Sequence, residues 1–191
     1  MHLLAIIASC AAAVSATGTK RRLQFAMDDT TIRTAVAAWL SDASAAEATY
    51  GHISTWNTGG VTDMESLFCA SSTYCGSTAA SKASFNDDIS AWDTTGVTTM
   101  AYMFMEVASF NQPLNGWNVA KVTIMWGMFY GASSFNDDIS AWDTTGVTTM
   151  AYMFYGASAF DQSLADWSVD EVKSMEAMFS GASKFNQPLN D

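Results

Sequence analysis

The chain has 191 residues, of which 49% are hydrophobic and only 14% are charged, and its formal net charge is −11. This composition indicates a packed chain and argues against a disordered one. An acidic balance of this size repels nucleic acid and anionic membranes, so we expect neither as a partner.

Residues 1–16 have the pattern of a secretory signal peptide. An apolar run extends from Leu3 to Val14, and Val14-Ser15-Ala16 provides a small-x-small cleavage site. The run is too short for a membrane-spanning helix, so we expect a secreted or cell-surface protein without membrane insertion after signal removal. An alternative is that Ile7 to Cys10 acts as a bacterial lipobox, which would make Cys10 a lipid anchor.

A linker and a helix are predicted before the repeats. The linker covers residues 17–29 and contains Lys20-Arg21-Arg22, which is either a processing site or a solvated run of charge. Within residues 30–50, four apolar side chains keep the spacing of an amphipathic helix: Ile32, Val36, Trp39 and Leu40. A stack of repeats needs a terminal element with one polar face, and we expect this helix to cap the first repeat.

Residues 51–191 repeat with a period of 25. The stretch from Ser84 to Phe104 recurs letter for letter as Ser134 to Phe154. The aromatic positions that keep this period are Phe85, Phe110, Phe135, Phe160 and Phe185, and Trp92, Trp117, Trp142 and Trp167. A unit this small cannot bury its own apolar face, so we expect it to stack on its neighbours.

Each unit has the pattern of one short helix and one short strand. The apolar residues of one helix face are Val97, Met100, Met103 and Phe104, and the pattern recurs in five copies. Gly131 lies two residues past a closing Phe, where a helix can end in the left-handed conformation. The extended stretch from Phe110 to Leu114 reads as a short parallel strand. The predicted fold class is an α/β repeat solenoid.

An inserted loop near residues 69–84 interrupts the register. Phe68 and Phe85 are 17 positions apart, whereas the corresponding Phe104 and Phe110 are 6 apart. The insertion brings Cys75 close to Cys69 in the chain. In a secreted protein we expect these two to form a disulfide that staples the loop, while Cys10 leaves with the signal peptide.

Over about residues 50–191 the units follow the frame F-N-x-x-[IL]-x-x-W-[DN]-x-x-x-V-T-x-M-x-x-M-F-x-x-A. This frame resembles that of the BspA-like leucine-rich-repeat surface proteins, in the branch with a Mycoplasma-type repeat domain. The resemblance implies a leucine-rich-repeat-like solenoid, a secreted or surface location, and a role in adhesion or protein binding. The chain departs from the frame at Val107, Asp161 and Lys173.

One polar position recurs directly after each Phe and predicts a structural ladder, in which each amide bonds the backbone of the next unit: Asn86, Asn111, Asn136 and Asn186. Asp161 takes the place of Asn in one unit. Because a carboxylate accepts but does not donate, we expect that joint to be the loosest.

The predicted binding positions are those that vary between units or project outward: Asp87, Asp88, Gln112, Asp137, Asp138 and Gln162. Paired carboxylates can contribute to a calcium site, but two acids do not fill a shell of six to eight oxygens. We therefore predict a solvated polar face, with no metal and no other cofactor.

The sequence predicts a binding protein and no enzyme. His52 stands alone after the signal peptide, and neither a nucleophile elbow nor a phosphate-binding loop is present. The favoured function is protein–protein interaction or adhesion, with a protein or glycan ligand at an extracellular surface. The alternatives are a carbohydrate-binding module that uses an exposed Trp row, and a secreted hydrolase. The sequence stops midway through a unit, which predicts either a fragment of a longer array or end-to-end self-association.

Overall fold

The computed structural model describes residues 25–75 and 82–189. The predicted signal peptide, Cys10 and the basic site lie outside these residues, as does part of the inserted loop. The elements in chain order are strand β1 (Ala26–Asp28), helix α1 (Asp29–Ser41), helix α2 (Ala43–Tyr50), a 3-10 helix (Ile53–Thr55), strand β2 (Asn57–Gly60) and helix α3 (Ser72–Cys75). No helix in the described residues has the length and apolarity that crossing a bilayer requires.

Two helices occupy the region where the sequence predicts the cap. Asp28 begins α1, because its carboxylate accepts from the backbone N–H groups of Thr30 and Thr31. Helix α1 ends at Ser41, and Asp42 then caps α2 by accepting from the N–H of Ala45. The buried face of α1 consists of Ile32, Ala35, Val36 and Trp39.

Strands β1 and β2 join the start of the described chain to the first unit. They pair in parallel, with Ala26 opposite Asn57 and Asp28 opposite Gly60. A Cβ at Gly60 would lie 2.7 Å from the carbonyl oxygen of Met27, so this close approach of two backbones requires glycine.

The units contact one another in register through stretches that we call the bridge segments. They are the ten-residue stretches that begin at the recurring Val: residues 61–70, 97–106, 122–131, 147–156 and 172–181. Isolated parallel bridges join Asp63, Thr99, Ile124, Thr149 and Ser174 in sequence. Each bridge segment is therefore hydrogen-bonded to the next along the chain.

The bridge segments are not the predicted helices. In residues 97–106, the N–H of Tyr102 donates to Trp126 of the next unit at 2.9 Å, while the N–H of Met103 closes a turn onto Met100 at 3.2 Å. Tyr102 and Glu106 have positive φ angles of 57° and 60°, which a right-handed helix excludes. Val, Met and Phe at helical spacing are buried all the same, because consecutive tight turns bring them to one face.

The predicted strand from Phe110 to Leu114 is also not a strand in the structure. Within residues 82–189 this stretch has no strand assignment, and the parallel pairing lies in the bridge segments. Phe110 and Leu114 are nevertheless fully buried. Their burial explains why the stretch reads as a strand, although its backbone does not pair as one.

Two columns of phenylalanine rings run through the core, beside buried Met, Trp, Val, Ile and Leu side chains. One column contains Phe68, Phe104, Phe129, Phe154 and Phe179, and the other contains Phe85, Phe110, Phe135, Phe160 and Phe185. Centroids of successive rings are 5.6 to 5.7 Å apart in the first column and 5.9 to 6.2 Å apart in the second. The columns contact each other at 3.9 to 4.2 Å. Burying each ring stabilises the fold by roughly 1.5 to 3 kcal/mol.

Helix α1 supplies the partners that a preceding unit would give the first bridge segment. In later units the residue after the recurring Val donates its backbone N–H to a carbonyl oxygen of the preceding unit. The N–H of Thr98, for example, donates to the carbonyl oxygen of Thr62. The N–H of Thr62 instead donates to the Asp29 carboxylate at 2.7 Å. Arg33 donates to the carbonyl oxygens of Asp63 and Glu65 at 3.4 and 2.7 Å. The helix therefore satisfies both donors and acceptors of that edge.

Candidate functional site

Two of the predicted binding residues are engaged inside the protein. The Asp87 carboxylate accepts from the indole N–H of Trp39 at 2.7 Å, which ties α1 to the repeats. The Asp137 carboxylate accepts from the backbone N–H of Leu114 in the preceding unit at 2.6 Å. Both side chains are half-buried. They serve the joints between parts of the fold, so the prediction of a free contact role is wrong for these two.

The other four predicted binding residues differ in their surroundings. Asp88 and Asp138 are exposed, and each accepts from the backbone N–H two residues later, at 2.9 and 3.0 Å. The Ser90 hydroxyl and N–H hold the pKa of Asp88 below its ordinary value. Gln162 donates to the carbonyl oxygen of Asn136 at 3.0 Å, and Gln112 is half-buried. Asp87, Gln112, Asp137 and Gln162 occupy the same position in successive units, but their hydrogen-bond partners differ.

The recurring Asn position joins successive units through backbone hydrogen bonds. The side-chain oxygen of each residue accepts from the backbone N–H of its counterpart 25 residues later at 2.8 to 2.9 Å, along Asn86, Asn111, Asn136, Asp161 and Asn186. Asp161 accepts as Asn does, and also receives a bond from Gln187 at 2.9 Å. The joint uses only the acceptor, so the expectation of a loose joint at Asp161 is wrong.

The Trp row is buried. Its members are at most 8% exposed, and each indole N–H donates to a backbone carbonyl of another segment at 2.9 to 3.2 Å: Trp56 to Gly51, Trp92 to Ile53, Trp117 to Ile89, Trp142 to Leu114 and Trp167 to Ile139. A platform for stacking on sugars needs exposed ring faces. This row therefore does not provide the platform that the carbohydrate-binding alternative requires.

The disulfide between Cys69 and Cys75 lies beside an aromatic surface. The two Cα atoms are 6.2 Å apart, and the bond connects the end of the first bridge segment to α3. Helix α3 carries Tyr74, which is 61% exposed. Its ring lies 6.3 Å from the ring of Tyr102 in the next unit. The staple thus holds Tyr74 against the repeats.

Aromatic side chains from several units line one groove, with a cavity volume of about 410 Å³. We call it the aromatic groove, and its lining residues are Tyr74, Tyr102, Met105, Trp126, Tyr130, Tyr152 and Tyr155. The chain has six Tyr residues, and five of them are in this groove. The sixth, Tyr50, packs against Phe25 and Trp56. Such a concentration of one residue type on one surface does not follow from core packing.

The rings of the aromatic groove form a continuous chain of contacts. Trp126 lies between two tyrosines, with its centroid 4.3 Å from Tyr102 and 5.2 Å from Tyr152. Tyr130 and Tyr155 stack in parallel at 4.6 Å. Mutual contact restricts the rotamers of these rings, so a ligand that binds them has little side-chain ordering left to impose.

Several groove residues occupy backbone positions that favour glycine. Tyr102 and Tyr152 have φ angles of 57° and 59°, and the equivalent residue between them in the stack is Gly127 at 56°. A Cβ at Gly127 would lie 3.3 Å from Cδ1 of Tyr102, so glycine there leaves room for the ring. The left-handed conformation costs a non-glycine residue roughly 1 to 2 kcal/mol. Ser66 and Ala177, which lie outside the groove, have the same conformation at the equivalent position, so the left-handed backbone is a feature of the repeat.

Carboxylates border the aromatic groove. The hydroxyl of Tyr152 donates a hydrogen bond to Glu176, and this bond raises the pKa of the Tyr152 phenol. Desolvation and then the charge of Glu65 raise the pKa of Tyr102. Desolvation, the neighbouring phenols and Glu106 raise the pKa of Tyr130. The phenols of Tyr102, Tyr130 and Tyr152 therefore lie beside an acidic rim.

A second concavity of about 260 Å³ lies on the last described unit. Three of its lining side chains are exposed apolar residues: Val169 at 45%, Met175 at 45% and Leu189 at 58%. Carboxylates and phenols do not line it. Its chemistry favours an apolar contact and offers no polar group that would orient a small ligand.

His52 has a local role in the structure. Its Nδ1 lies 2.8 Å from the Ser54 hydroxyl, and the side chain caps the 3-10 helix by accepting from the N–H of Ser54. Its ring also packs edge-on against Trp39 at 5.1 Å. Among residues 25–75 and 82–189, no group of three or more His, Cys, Asp or Glu side chains could hold a metal ion.

Sequence reasoning missed the aromatic groove, although the sequence carries a signal for it. Trp126 stands at the position that Ala101 and Ala151 occupy in neighbouring units. Tyr130 and Tyr155 share a position with Met105. Aromatic residues that replace small or aliphatic ones at two nearby positions of a repeat indicate a surface that differs from the core. The groove itself depends on which positions of different units become neighbours.

Comparison with known proteins places the repeats in a family. The family described as "Mycoplasma protein of unknown function, DUF285" matches residues 40–138 and 73–191, which together are more than half of the chain. No curated protein and no solved structure matches the chain. The matched range contains the aromatic groove and all the bridge segments. By these matches, the chain belongs to the Mycoplasma repeat family of unknown function DUF285.

Proposed function

We propose that this protein is a non-catalytic binding protein of the extracellular or cell surface, which recognises or adheres to another protein through the aromatic groove. The observation that carries the proposal is the collection of five tyrosines and Trp126 on one surface. Tyr and Trp provide large, rigid contact areas with a polar tip, and they are enriched in protein-binding surfaces. In this groove Tyr74 is exposed and the other aromatic rings are half-buried, so the rings keep part of their surface accessible to a partner.

The proposed location has two supports. The disulfide between Cys69 and Cys75 is of a type that persists in oxidising compartments and is rare in the cytosol. The apolar run from Leu3 to Val14 has the length and the following cleavage pattern of a secretory signal. Both features support the proposal that the protein is exported from the cytoplasm.

We also propose that the repeats form a leucine-rich-repeat-like solenoid of the BspA-like kind, with α1 and α2 as its N-terminal cap. The 25-residue period falls within the range of leucine-rich repeats, which also carry Asn or Cys at a fixed position. The Asn86 to Asn111 bond and the parallel bridges between units are consistent with that architecture. In this proposal Phe and Met take the core positions that Leu usually holds.

A solenoid suits this function because its units present a broad rigid surface. A ligand that crosses several units contacts side chains whose spacing is already set by the stack, so binding costs little ordering entropy. In the aromatic groove, Tyr74, Tyr102, Trp126 and Tyr152 come from successive parts of the stack. Varying these side chains would change the partner without changing the core.

The proposal is tested by selecting ligands and then removing the groove. The full chain, immobilised, is panned against a random peptide library and probed on a glycan array. Bound ligands are measured again with the double variant Trp126→Ala/Tyr130→Ala. Ile124→Ala is the matched control, because it removes an exposed apolar side chain outside the groove. Circular dichroism establishes that all three proteins are folded.

We expect selected peptides that bind the wild type and the control alike and lose about tenfold or more in affinity for the groove variant. The proposal would be overturned if the peptides bound the groove variant as tightly as the wild type, or if no peptide bound. If glycans bind through the groove and peptides do not, the function is carbohydrate recognition.

Self-association through the second concavity is a further proposal for a partner. Val169, Met175 and Leu189 give that face the apolar character of a protein contact. The opposite face of the stack is covered by α1, so we expect copies to meet through the exposed apolar faces alone. Light scattering after size-exclusion chromatography should give a dimer that Met175→Asp converts to monomer. A monomer at all concentrations would exclude the contact.

A further inference from the structure

We propose that the aromatic groove binds an extended peptide segment through its Arg or Lys side chains. This inference rests on the proposed function, because it names the chemistry of the ligand for the same groove. It follows from three features of the groove: its acidic rim, its available ring faces, and its length across several units.

The acidic rim attracts positive charge. Glu176 is hydrogen-bonded to the Tyr152 hydroxyl, and Glu65 and Glu106 are close enough to act electrostatically on Tyr102 and Tyr130. All three glutamates are exposed. A guanidinium or ammonium group in the groove therefore has carboxylates within reach, and Arg can bind a carboxylate through two parallel hydrogen bonds.

No cation of the protein fills this role in the described residues. Lys and Arg there are Arg33, Lys82, Lys121, Lys173 and Lys184, and none of them lines the groove. Arg33 is paired with Asp63 at 3.0 Å. The whole chain has 19 acidic and 8 basic residues, so the long-range field also favours a basic ligand. The charge of the groove is thus left for a partner to complement.

The faces of the aromatic rings also attract positive charge. The negative face of an aromatic ring attracts a cation, most strongly for Trp and more often for Arg than for Lys. Trp126 and the tyrosines on both sides of it are half-exposed, and Tyr74 is 61% exposed. A guanidinium can stack on these faces while its hydrogen-bond donors point to the rim. Neutral apolar side chains would gain the stacking contact and leave the carboxylates unpaired.

The length of the groove favours a peptide over a single small cation. Equivalent core rings of successive units are 5.6 to 5.7 Å apart, and the equivalent groove rings of Tyr130 and Tyr155 are 4.6 Å apart. Side chains on one face of an extended peptide repeat about every 6.6 Å. A peptide that runs along the stack therefore places neighbouring side chains of one face on different units. A segment with basic residues at alternate positions can thus bring several of them to the groove.

The backbone at Glu106 has a conformation that the following units form with glycine. Its φ is 60°, and the equivalent residues of the next units are Gly131, Gly156 and Gly181, with φ of 67° to 77°. Glycine adopts this conformation without strain, whereas glutamate does not.

The test uses two defined peptides that differ only in charge. One is acetyl-(Gly-Arg)4-amide, and the other replaces each Arg by citrulline, which has nearly the same shape and no charge. Binding to the full chain is followed by isothermal titration calorimetry in 50 mM and 300 mM NaCl. The double variant Glu106→Gln/Glu176→Gln removes two rim charges. Asp166→Asn/Glu171→Gln is its matched control, with the same change in net charge on exposed residues that do not line the groove.

We expect the Arg peptide to bind at least about tenfold more tightly than the citrulline peptide, which corresponds to one cation–π contact and one charged hydrogen bond. The rim variant should weaken binding of the Arg peptide about fivefold or more, and the control variant less than about twofold. Trp126→Ala, which changes no charge, should weaken binding about fivefold. Equal binding of both peptides, or equal losses in the rim variant and its control, would overturn the inference.

The outcome separates this inference from the proposed function. If binding of the selected library peptides depends on Trp126 and Tyr130 but these peptides are neutral or acidic, the groove is a binding site and the inference of a cationic ligand is wrong. If no peptide of any charge depends on the groove, both proposals fail. If the Arg peptide binds but neither Trp126→Ala nor the rim variant weakens it, the contact is general attraction to an acidic protein, and the inference is overturned.

Discussion

The side-chain oxygen of Asn86 accepts a hydrogen bond from the backbone N–H of Asn111 at 2.8 Å, one unit further along the chain. The same bond links Asn111 to Asn136. A short side chain thus serves as the acceptor for a backbone donor of the next unit. The stability of the stack should therefore depend on these side chains even though they lie near its surface.

Replacing one interior member of this series should destabilise the whole stack. Asn111→Ala removes the acceptor for the N–H of Asn136, and we expect the free energy of unfolding to fall by about 1 kcal/mol. Urea denaturation followed by circular dichroism measures the change. Asn115→Ala is the control, because Asn115 is exposed and outside the series. Equal losses in the two variants would show that the bond contributes nothing.

Asp161 should make the stability depend on pH in a way that Asn cannot. The backbone N–H of Asn186, and then Gln187, lower the pKa of Asp161 below its ordinary value of 3.8. A lowered pKa in the folded state contributes stability above pH 3.8, and this contribution is lost as the pH falls through the lowered pKa. Near neutral pH we expect Asp161→Asn to unfold at about the same temperature as the wild type.

In acid the two proteins should diverge. Thermal unfolding between pH 5 and pH 2 should show a smaller loss of melting temperature for Asp161→Asn than for the wild type, because Asn has no proton to gain. Asp166→Asn, at an exposed position outside the series, is the control and should follow the wild type. A parallel decline in all three proteins would contradict the role of the Asp161 carboxylate.

Helix α1 should stabilise the repeats through Asp29. This carboxylate accepts from the N–H groups of both Thr62 and Asp63, at 2.7 and 3.0 Å. Asp29→Ala leaves those donors without their partner, so we expect a loss of about 1 to 2 kcal/mol in unfolding free energy. Thr34→Ala, on the exposed face of the same helix, is the control, because it removes only a hydrogen bond within the helix, from the Thr34 hydroxyl to the Thr30 carbonyl oxygen. Hydrogen exchange should also accelerate at the Thr62 amide in Asp29→Ala, and unchanged exchange would argue against the contact.

Trp126 should be the only indole of the seven that a quencher reaches readily. The other six, Trp39, Trp56, Trp92, Trp117, Trp142 and Trp167, are at most 8% exposed, whereas Trp126 is half-exposed in the groove. Acrylamide should therefore quench a minor fraction of the fluorescence, and Trp126→Phe should remove that fraction. Trp142→Phe should leave it in place. Quenching of most of the emission in the folded wild type would mean that the Trp row is exposed.

The repeat period could be read from the sequence because the core residues are large and recur at identical intervals. Phe104 and Phe129 occupy equivalent positions in two units, and the structure stacks their rings at 5.6 Å. Cys69 and Cys75 could likewise be paired, because few cysteines are available in the chain. These features depend on residue type and position along one chain segment.

The backbone of the bridge segments could not be read in the same way. Val97, Met100 and Phe104 have a spacing that a helix and a series of tight turns share, so apolar periodicity alone does not distinguish them. The decisive features are the left-handed backbone at Tyr102 and its hydrogen bond to Trp126 of the next unit. Both depend on the neighbouring unit, which a reading of one unit does not include.

The aromatic groove escaped prediction for a related reason. Its rings come from different positions of different units, and their proximity follows from the turn geometry that periodicity failed to identify. Asp87 shows the opposite error, since a varying acidic residue suggested an outward contact, whereas its partner is Trp39 of α1. Side-chain position in a stack thus depends on the path of the backbone within each unit.

The central claim is that the aromatic groove is the binding surface, and nuclear magnetic resonance of ring-labelled tyrosine tests it most directly. The chain has six tyrosines, of which Tyr74, Tyr102, Tyr130, Tyr152 and Tyr155 line the groove and Tyr50 lies elsewhere as an internal reference. On titration with acetyl-(Gly-Arg)4-amide or a selected peptide, we predict saturable shifts of the groove tyrosines and a stationary Tyr50 signal. Stationary groove signals in the presence of a bound ligand would contradict the account.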